Sequence, residues 1–144
     1  MKIAIYSRGI ENNQHQDIVR LLDELALSGV ELVFYQDFFN QFYSAIDLKA
    51  KYSTFNSSKD LDQNIDFIIS LGGDGTLLDT VTLVKDSGIP VAGINYGRLG
   101  FLANIGKEDL VTAVEALVNR TFVLDQRTLI HLDANTSLFG DAPY

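Results

Sequence analysis

One stretch governs what this chain can fold into. From Ile65 to Leu71 the residues are apolar except for Asp66 and Ser70, and the run ends at Gly72-Gly73-Asp74-Gly75. A strand with one wet face alternates apolar and polar residues, whereas a nearly unbroken apolar run suits a strand covered on both faces, as in a parallel sheet flanked by helices. Past the glycines, Leu77, Leu78, Val81 and Val84 recur at helical spacing. Strand, glycine loop and helix therefore follow one another here, and the same pattern surrounds them. Lys2 to Tyr6 is a short apolar run ended by Ser7-Arg8-Gly9, and Ile18, Leu21, Leu22, Leu25 and Ala26 line one helical face that stops at Ser28-Gly29. Val30 to Tyr35 returns to strand composition, Phe39, Phe42, Tyr43 and Ile46 return to helical spacing, and Lys49 to Asp62 reads as polar loop. Gly88 and Pro90 punctuate before a strand over Val91 to Ile94, and Leu110, Val111, Val114, Leu117 and Val118 form a further helical face. The alternation predicts an α/β fold: an open, mostly parallel sheet with helices on both faces, joined by right-handed crossovers.

A chain of 144 residues buries roughly two-thirds of its unfolded surface and supports one core. That core is expected over residues 1–125. Beyond it, Thr128 to Asp133 alternates in strand fashion and Leu138 to Tyr144 is apolar and aromatic without a following helix. Residues 126–144 therefore read as a separate unit, an alternating strand without an evident partner, and something is expected to be missing beyond Tyr144. The 11 basic and 19 acidic side chains leave a net charge of −8, which repels nucleic-acid backbones and anionic membranes, so neither is expected as a partner. No cysteine is present; this removes disulfides, zinc–thiolate sites and cysteine nucleophiles together and suits the reducing cytoplasm. No basic region followed by a long apolar stretch opens the chain, and no window reaches the eighteen or so apolar residues of a membrane span.

The chemistry is concentrated in Leu71-Gly72-Gly73-Asp74-Gly75-Thr76. A helix that begins beyond the carboxyl end of a parallel strand offers unpaired N–H groups and a positive dipole end to an anion. Glycines there take positive φ and remove the Cβ atoms that keep a phosphate from the backbone. The competing possibility is a tight hairpin turn at Asp74-Gly75, since Asp-Gly between apolar runs favours hairpins. Helical periodicity after the loop, and two further glycines that a hairpin does not need, favour the anion loop. The chain has no Gly-x-x-x-x-Gly-Lys-Ser/Thr, and Gly93, Gly97 and Gly100 lack dinucleotide-fingerprint spacing.

Taken together, Leu71-Gly72-Gly73-Asp74-Gly75-Thr76-Leu77-Leu78 and, about twenty residues on, Gly93-Ile94-Asn95-Tyr96-Gly97-Arg98-Leu99-Gly100-Phe101-Leu102 closely resemble the NAD kinase family. Diacylglycerol kinases, related lipid kinases and 6-phosphofructokinases share a Gly-Gly-Asp-Gly loop; the second segment resembles NAD kinases in particular. The resemblance implies transfer of the ATP γ-phosphoryl group to the 2′-hydroxyl of the NAD adenosine ribose, giving NADP. It implies Asp74 as general base, with Gly72, Gly73, Gly75 and Thr76 around the phosphate or ribose groups. Asn95 would hold the second segment by hydrogen bonds, and Phe101 and Leu102 would line the NAD pocket, Phe101 near the adenine. Without the resemblance, Phe101 and Leu102 would be taken as core residues.

NAD and ATP are the expected partners, with Mg²⁺ or another divalent cation accompanying ATP, no metal ligands in the chain itself, and a homo-oligomer for the full-length protein. In the family a second, β-rich domain, which the resemblance implies residues 126–144 begin, completes the enzyme with an Asn followed by an acidic residue near its start. The chain stops at Asp141-Ala142-Pro143-Tyr144, where that pair is expected, so an N-terminal fragment with little activity of its own is the expectation. Many relatives are expected to carry a basic residue where this chain has Asp79, which would leave anion binding to the cation and backbone N–H groups. Arg8, at the end of the first strand, is placed to reach the mouth of the site, but reads rather as a solvated turn residue and is not counted among the site residues. His15 and His131 have no second ligand at metal-binding spacing and read as surface or satisfied side chains. Two other functions fit the loop: a lipid or sugar kinase, and a non-catalytic nucleotide-binding module.

Overall fold

In a computed structural model of the protein, the described residues are 1–9, 11–42, 51–61, 64–98 and 100–130. Six strands, β1 (Lys2–Tyr6), β2 (Glu31–Tyr35), β3 (Tyr52–Phe55), β4 (Phe67–Leu71), β5 (Val91–Asn95) and β6 (Ile105–Gly106), form one sheet in the order β3-β2-β1-β4-β5-β6. Every pairing is parallel. The chain starts at the centre, winds outward to β3, then returns to lay β4 along the other side of β1 and winds outward again to β6. Connections thus leave in opposite directions from the β1–β4 pair, and the crevice past the carboxyl ends of these two strands is the topological switch point, where open α/β sheets bind ligands.

Among the described residues four α-helices, α1 (His15–Leu27), α2 (Gln36–Phe42), α3 (Asp74–Val84) and α4 (Leu110–Val118), cover the sheet. Alternation within β4 shows how both faces are used. Phe67, Ile69 and Leu71 point into a layer shared with Leu21 and Leu25 of α1, Phe38 of α2 and Val114 of α4. Ile68 points the other way, with Ala4, Val33, Phe55 and Val84 of α3. All five β4 residues are buried, which is why the sequence run shows almost no polar alternation. Helix α1 ends as its sequence predicts: Gly29 takes φ +69°, its N–H donates to the Ala26 carbonyl at 3.0 Å, and the Val30 N–H donates to the Leu25 carbonyl at 3.2 Å. That is a Schellman stop, with Val30 and Leu25 both buried.

Several expectations are corrected. Lys49 to Asp62 is not all loop, because Tyr52–Phe55 forms β3, in register with Leu32 to Tyr35. It is an edge strand with only Phe55 buried, and a strand that buries one residue carries no apolar period to detect. Helix α2 buries Phe38 and Phe42; Tyr43 and Ile46 lie outside the described residues. Helix α3 lies where periodicity placed it, but its buried face is Thr76, Thr80 and Val84, and Leu78 is 56% exposed. Thr80 can be buried because its hydroxyl donates to the Thr76 carbonyl at 3.0 Å, which leaves only the methyl to pack. Strand β6 is two residues long, too short for any pattern. Residues 121–130 form neither helix nor strand, so Thr128 to Ile130 lack the ladder expected of them; alternation becomes a strand only beside a partner edge. Residues 131–144 lie outside the described residues. Among the described residues no helix is long and apolar enough to cross a membrane.

Candidate functional site

Gly72 to Gly75 joins β4 directly to α3, which removes the hairpin alternative. The three glycines of the loop differ in what the fold asks of them. Gly72 has φ +149°, and a Cβ there would run into the Thr76 side chain; its N–H extends the β4–β5 ladder to the Ile94 carbonyl at 2.9 Å. Gly73, the residue before the helix, is extended at φ −85°, and its carbonyl accepts from the Thr76 and Leu77 N–H groups at 3.0 and 3.2 Å. A Cβ on Gly73 would meet nothing within 4 Å, and one on Gly75 would meet only the Arg8 guanidinium, at 3.5 Å from Nη1. Neither position needs glycine to avoid a clash; Gly73 is the N-cap, where glycine is favoured over alanine, while at Gly75, inside the helix, glycine costs about 0.5–1 kcal/mol relative to alanine. These two positions leave a bare backbone shelf at the start of α3. Among the described residues, the N–H groups of Asp74 and Gly75 find no acceptor, as the first turn of a helix requires unless a cap or ligand supplies one.

Asp74 opens α3, and its carboxylate reaches across to the loop after β5. Oδ2 accepts from the Phe101 N–H at 2.8 Å, and Oδ1 accepts from the Leu102 and Ala103 N–H groups, each at 2.9 Å. These backbone bonds, Ala103 first and then Phe101 and Leu102, hold the Asp74 carboxyl below the usual carboxylate range. The approach is close enough that a Cβ on Gly100 would collide with the Asp74 carboxylate. Gly93 allows the same kind of contact from below: a Cβ on it would stand 2.9 Å from the Ala103 Cα and also strike Leu77. Asn95, buried at the end of β5, closes the intervening turn. Its Nδ2 donates to the carbonyls of Arg98 at 2.7 Å and Ala103 at 3.4 Å, and its Oδ1 accepts from the Gly97 N–H at 2.8 Å.

The structure therefore brings Gly72, Gly73, Asp74, Gly75, Thr76, Asn95, Phe101 and Leu102 to one place, at the carboxyl ends of β4 and β5. Thr76 is buried and covers Gly72. Phe101 is 97% exposed and Leu102 36% exposed, so neither is the core residue that composition alone suggests. Leu78, one helical turn beyond Asp74, is likewise exposed.

Arg8 and Asp79 are paired, not independently solvated. Arg8 Nη2 donates to Asp79 Oδ1 at 2.7 Å, Arg8 Nε bonds Asp79 Oδ2, and the Tyr6 hydroxyl donates to the same Oδ2 at 3.1 Å. The guanidinium, ahead of burial, lowers the Asp79 carboxyl's pKa, while burial and then Asp79 push the Tyr6 hydroxyl up to about 12. Sequence reading missed this group, because nothing local marks an Arg and an Asp seventy-one positions apart as neighbours. The signal becomes available only with topology: β1 pairs with β4, Tyr6 opposite Ser70, so whatever follows Tyr6 stands beside whatever follows Leu71. Gly93, Gly100 and Ala103 were missed for the same reason. His15 packs edge-on against Phe42 with ring centroids 5.3 Å apart, and His131 lies outside the described residues.

Fold and loop together define a doubly wound α/β domain with its ligand-side crevice lined by bare amides and one carboxylate. Within that class, the chain belongs to the ATP-NAD kinase family: the family's N-terminal domain pattern matches residues 10–122. The NAD kinase of Flavobacterium johnsoniae is 38% identical over 132 residues, covering 92% of this chain and 45% of its own. That of Cytophaga hutchinsonii is 35% identical over 142 residues, covering 98% of this chain and 48% of its own. The chain thus spans about half the length of these curated relatives. Among solved structures, yeast NADH kinase complexed with NADH matches with a TM-score of 0.67 over 83% of this chain and 38% of the other, at 18% identity, a likeness of fold.

Proposed function

We propose that this chain supplies the N-terminal domain of an NAD kinase, which moves the ATP γ-phosphoryl group onto the 2′-hydroxyl of the NAD adenosine ribose. The bond from the γ-phosphorus to the β–γ bridging oxygen breaks, the 2′-oxygen–phosphorus bond forms, ADP leaves, and the hydroxyl proton passes to Asp74. One observation carries the assignment. An ionised carboxylate has about four acceptor positions, and three on Asp74 are taken by the N–H groups of Phe101, Leu102 and Ala103. The carboxylate is fixed in place and, among the described residues, one position on Oδ2 is left open for a substrate hydroxyl. Its lowered pKa makes it a weak base, which matters little when phosphoryl transfer passes through a loose transition state governed by positioning and charge neutralisation.

Gly73 and Gly75 would admit phosphate oxygens to the first turn of α3, Phe101, Leu102 and Leu78 would offer an apolar wall for the adenine, and Asn95 would hold that wall in register. The yeast neighbour, whose structure contains NADH, supports a nicotinamide dinucleotide as acceptor. Among the described residues no three His, Asp or Glu side chains lie together to hold a metal, so the divalent cation would enter on the phosphates of ATP. The relatives' greater length supports a second domain, begun by residues 126–144, that closes over the crevice, since such sites lie between domains. The chain alone would then turn over little, and the full-length protein would work in the cytoplasm as an assembly of like chains.

The test offers the full-length protein ATP and Mg²⁺ with NAD, diacylglycerol or fructose 6-phosphate. NADP formation is expected with NAD alone. Phosphorylation of either other acceptor instead would make it a different kinase, and NAD binding without turnover would make it a binding module.

A further inference from the structure

An acidic residue at position 79, one turn and a half into α3, looks out of place beside a phosphate shelf. The structure gives it a task. Asp79 takes the side edge of the Arg8 guanidinium, through Nε and Nη2, and its Oδ2 is fixed in turn by the Tyr6 hydroxyl. Of the five guanidinium N–H groups this uses two. The Tyr6 oxygen also lies against the guanidinium; among the described residues no hydrogen bond runs from Nη1, which lies 3.5 Å from where a Gly75 Cβ would stand.

An exposed ion pair by itself is worth little, and Arg8 is 61% exposed. Two features separate this one from an ordinary surface pair. It is bidentate, which fixes the plane of the guanidinium as well as its position. It also keeps Nη1 beside a position whose glycine the fold does not require, at the start of the helix whose Asp74 and Gly75 N–H groups lack acceptors among the described residues. The end edge of the guanidinium, one proton each from Nη1 and Nη2, next to two bare amides complements the oxygens of a phosphate group.

We propose that Arg8 binds a phosphate oxygen of a nucleotide at this site and that Asp79 is the positioning residue that holds Arg8 for it. The proposal rests on the NAD kinase assignment for the site but concerns the chain's own donor, which comes from the end of β1 and not from α3. Because Asp79 cancels the charge of Arg8, the contact acts by direction more than by net charge. Arg8→Lys, which keeps the charge and loses the fork, should therefore restore little.

The test compares full-length wild type, Arg8→Ala, Arg8→Lys, Asp79→Asn and the Arg8→Ala/Asp79→Asn double variant. It reads KM for ATP and for NAD, kcat, and calorimetric Kd for ADP and for NAD. Removing a hydrogen bond to a charged group predicts at least about a tenfold rise in KM and Kd for one nucleotide in Arg8→Ala, with kcat changed much less. Arg8→Lys should stay near the alanine variant, and Asp79→Asn should give a smaller rise that disappears in the Arg8→Ala background. Which nucleotide weakens identifies the phosphate. Unchanged constants in Arg8→Ala, or an Asp79→Asn effect that simply adds to it, overturns the proposal. Wild type that binds these nucleotides yet makes no NADP overturns the kinase assignment alone, with Arg8 still judged on Kd. Wild type that binds neither overturns both.

Discussion

Replacing Gly75 with alanine should make the protein more stable and a poorer binder of nucleotides, and the two signs together test whether the shelf exists for a ligand. Gly75 is the second residue of α3, with no positive φ, and its added Cβ would meet only Arg8 Nη1 at 3.5 Å, an ordinary van der Waals distance. No steric cost offsets the gain from a less flexible unfolded chain, which is about 0.4–1 kcal/mol at compatible sites. The helix-propensity difference, up to about 1 kcal/mol in an interior, largely expresses the same entropy and is not added to it. A net gain near 0.5 kcal/mol raises the melting temperature of a domain this size by roughly 1–3 °C. The same methyl group would occupy the space between Arg8 and the first helical amides. Loss of one charge-assisted hydrogen bond there costs about 1.5–3 kcal/mol, or about ten- to a hundredfold in affinity. Thermal denaturation and calorimetric titration with NAD and ADP, on the same full-length preparation, read both quantities. If the variant melts lower than wild type, the fold needs this glycine after all; if it binds both nucleotides within twofold of wild type, the shelf is not where phosphate sits.

Gly29→Ala provides the opposite case: φ +69° penalises alanine, so this variant should lower the melting temperature while leaving nucleotide affinity alone, and a stabilised variant would contradict the Schellman stop assigned to α1. Gly100→Ala would drive a Cβ into the Asp74 carboxylate, so turnover should fall by at least an order of magnitude with a melting point moved by only a few degrees; normal turnover would mean that Asp74 need not stand where it does. Asp74→Asn keeps the shape but turns an N–H donor toward one of the three backbone donors. It should therefore abolish most turnover and also speed amide exchange at residues 101–103, and near-normal turnover would remove Asp74 as base. Acid should act on the same contacts. The folded pKa of Asp74 lies below its unfolded value of about 3.9, so its stabilisation is complete above that value and is lost as pH falls through the lower folded one. Exchange protection at Leu102 and Ala103 should thus be unchanged from pH 7 to 5 and fall away in stronger acid. Loss already near pH 6 would show that Asp74 does not hold the loop.

What sequence could and could not disclose divides along a physical line. Period belongs to elements that bury a face, so β1, β2, β4, β5, α1 and α4 were legible from apolar spacing, while β3, which buries Phe55 alone, and two-residue β6 were not. Thr76 and Thr80 hid the true inner face of α3: both are buried but written as polar residues, and Thr80, whose hydroxyl is paired with the Thr76 carbonyl, packs as an apolar one. The same line runs through the site. Its position followed from a covered strand ending in glycines, but its working parts are contacts between the ends of strands adjacent in space and remote in sequence: Asp74 with the amides of Phe101 to Ala103, Asp79 with Arg8. Glycine is where the difference is sharpest. In sequence Gly72, Gly73 and Gly75 are one motif with one explanation; in the structure Gly72 answers to its own φ and to Thr76 and Gly73 caps α3, whereas Gly75, inside the helix, answers to no packing constraint. A residue that costs stability and satisfies no internal constraint is accounted for only from outside the fold, and at the amino end of α3, beside an aimed guanidinium and a fixed carboxylate, the outside agent that chemistry favours is a phosphate.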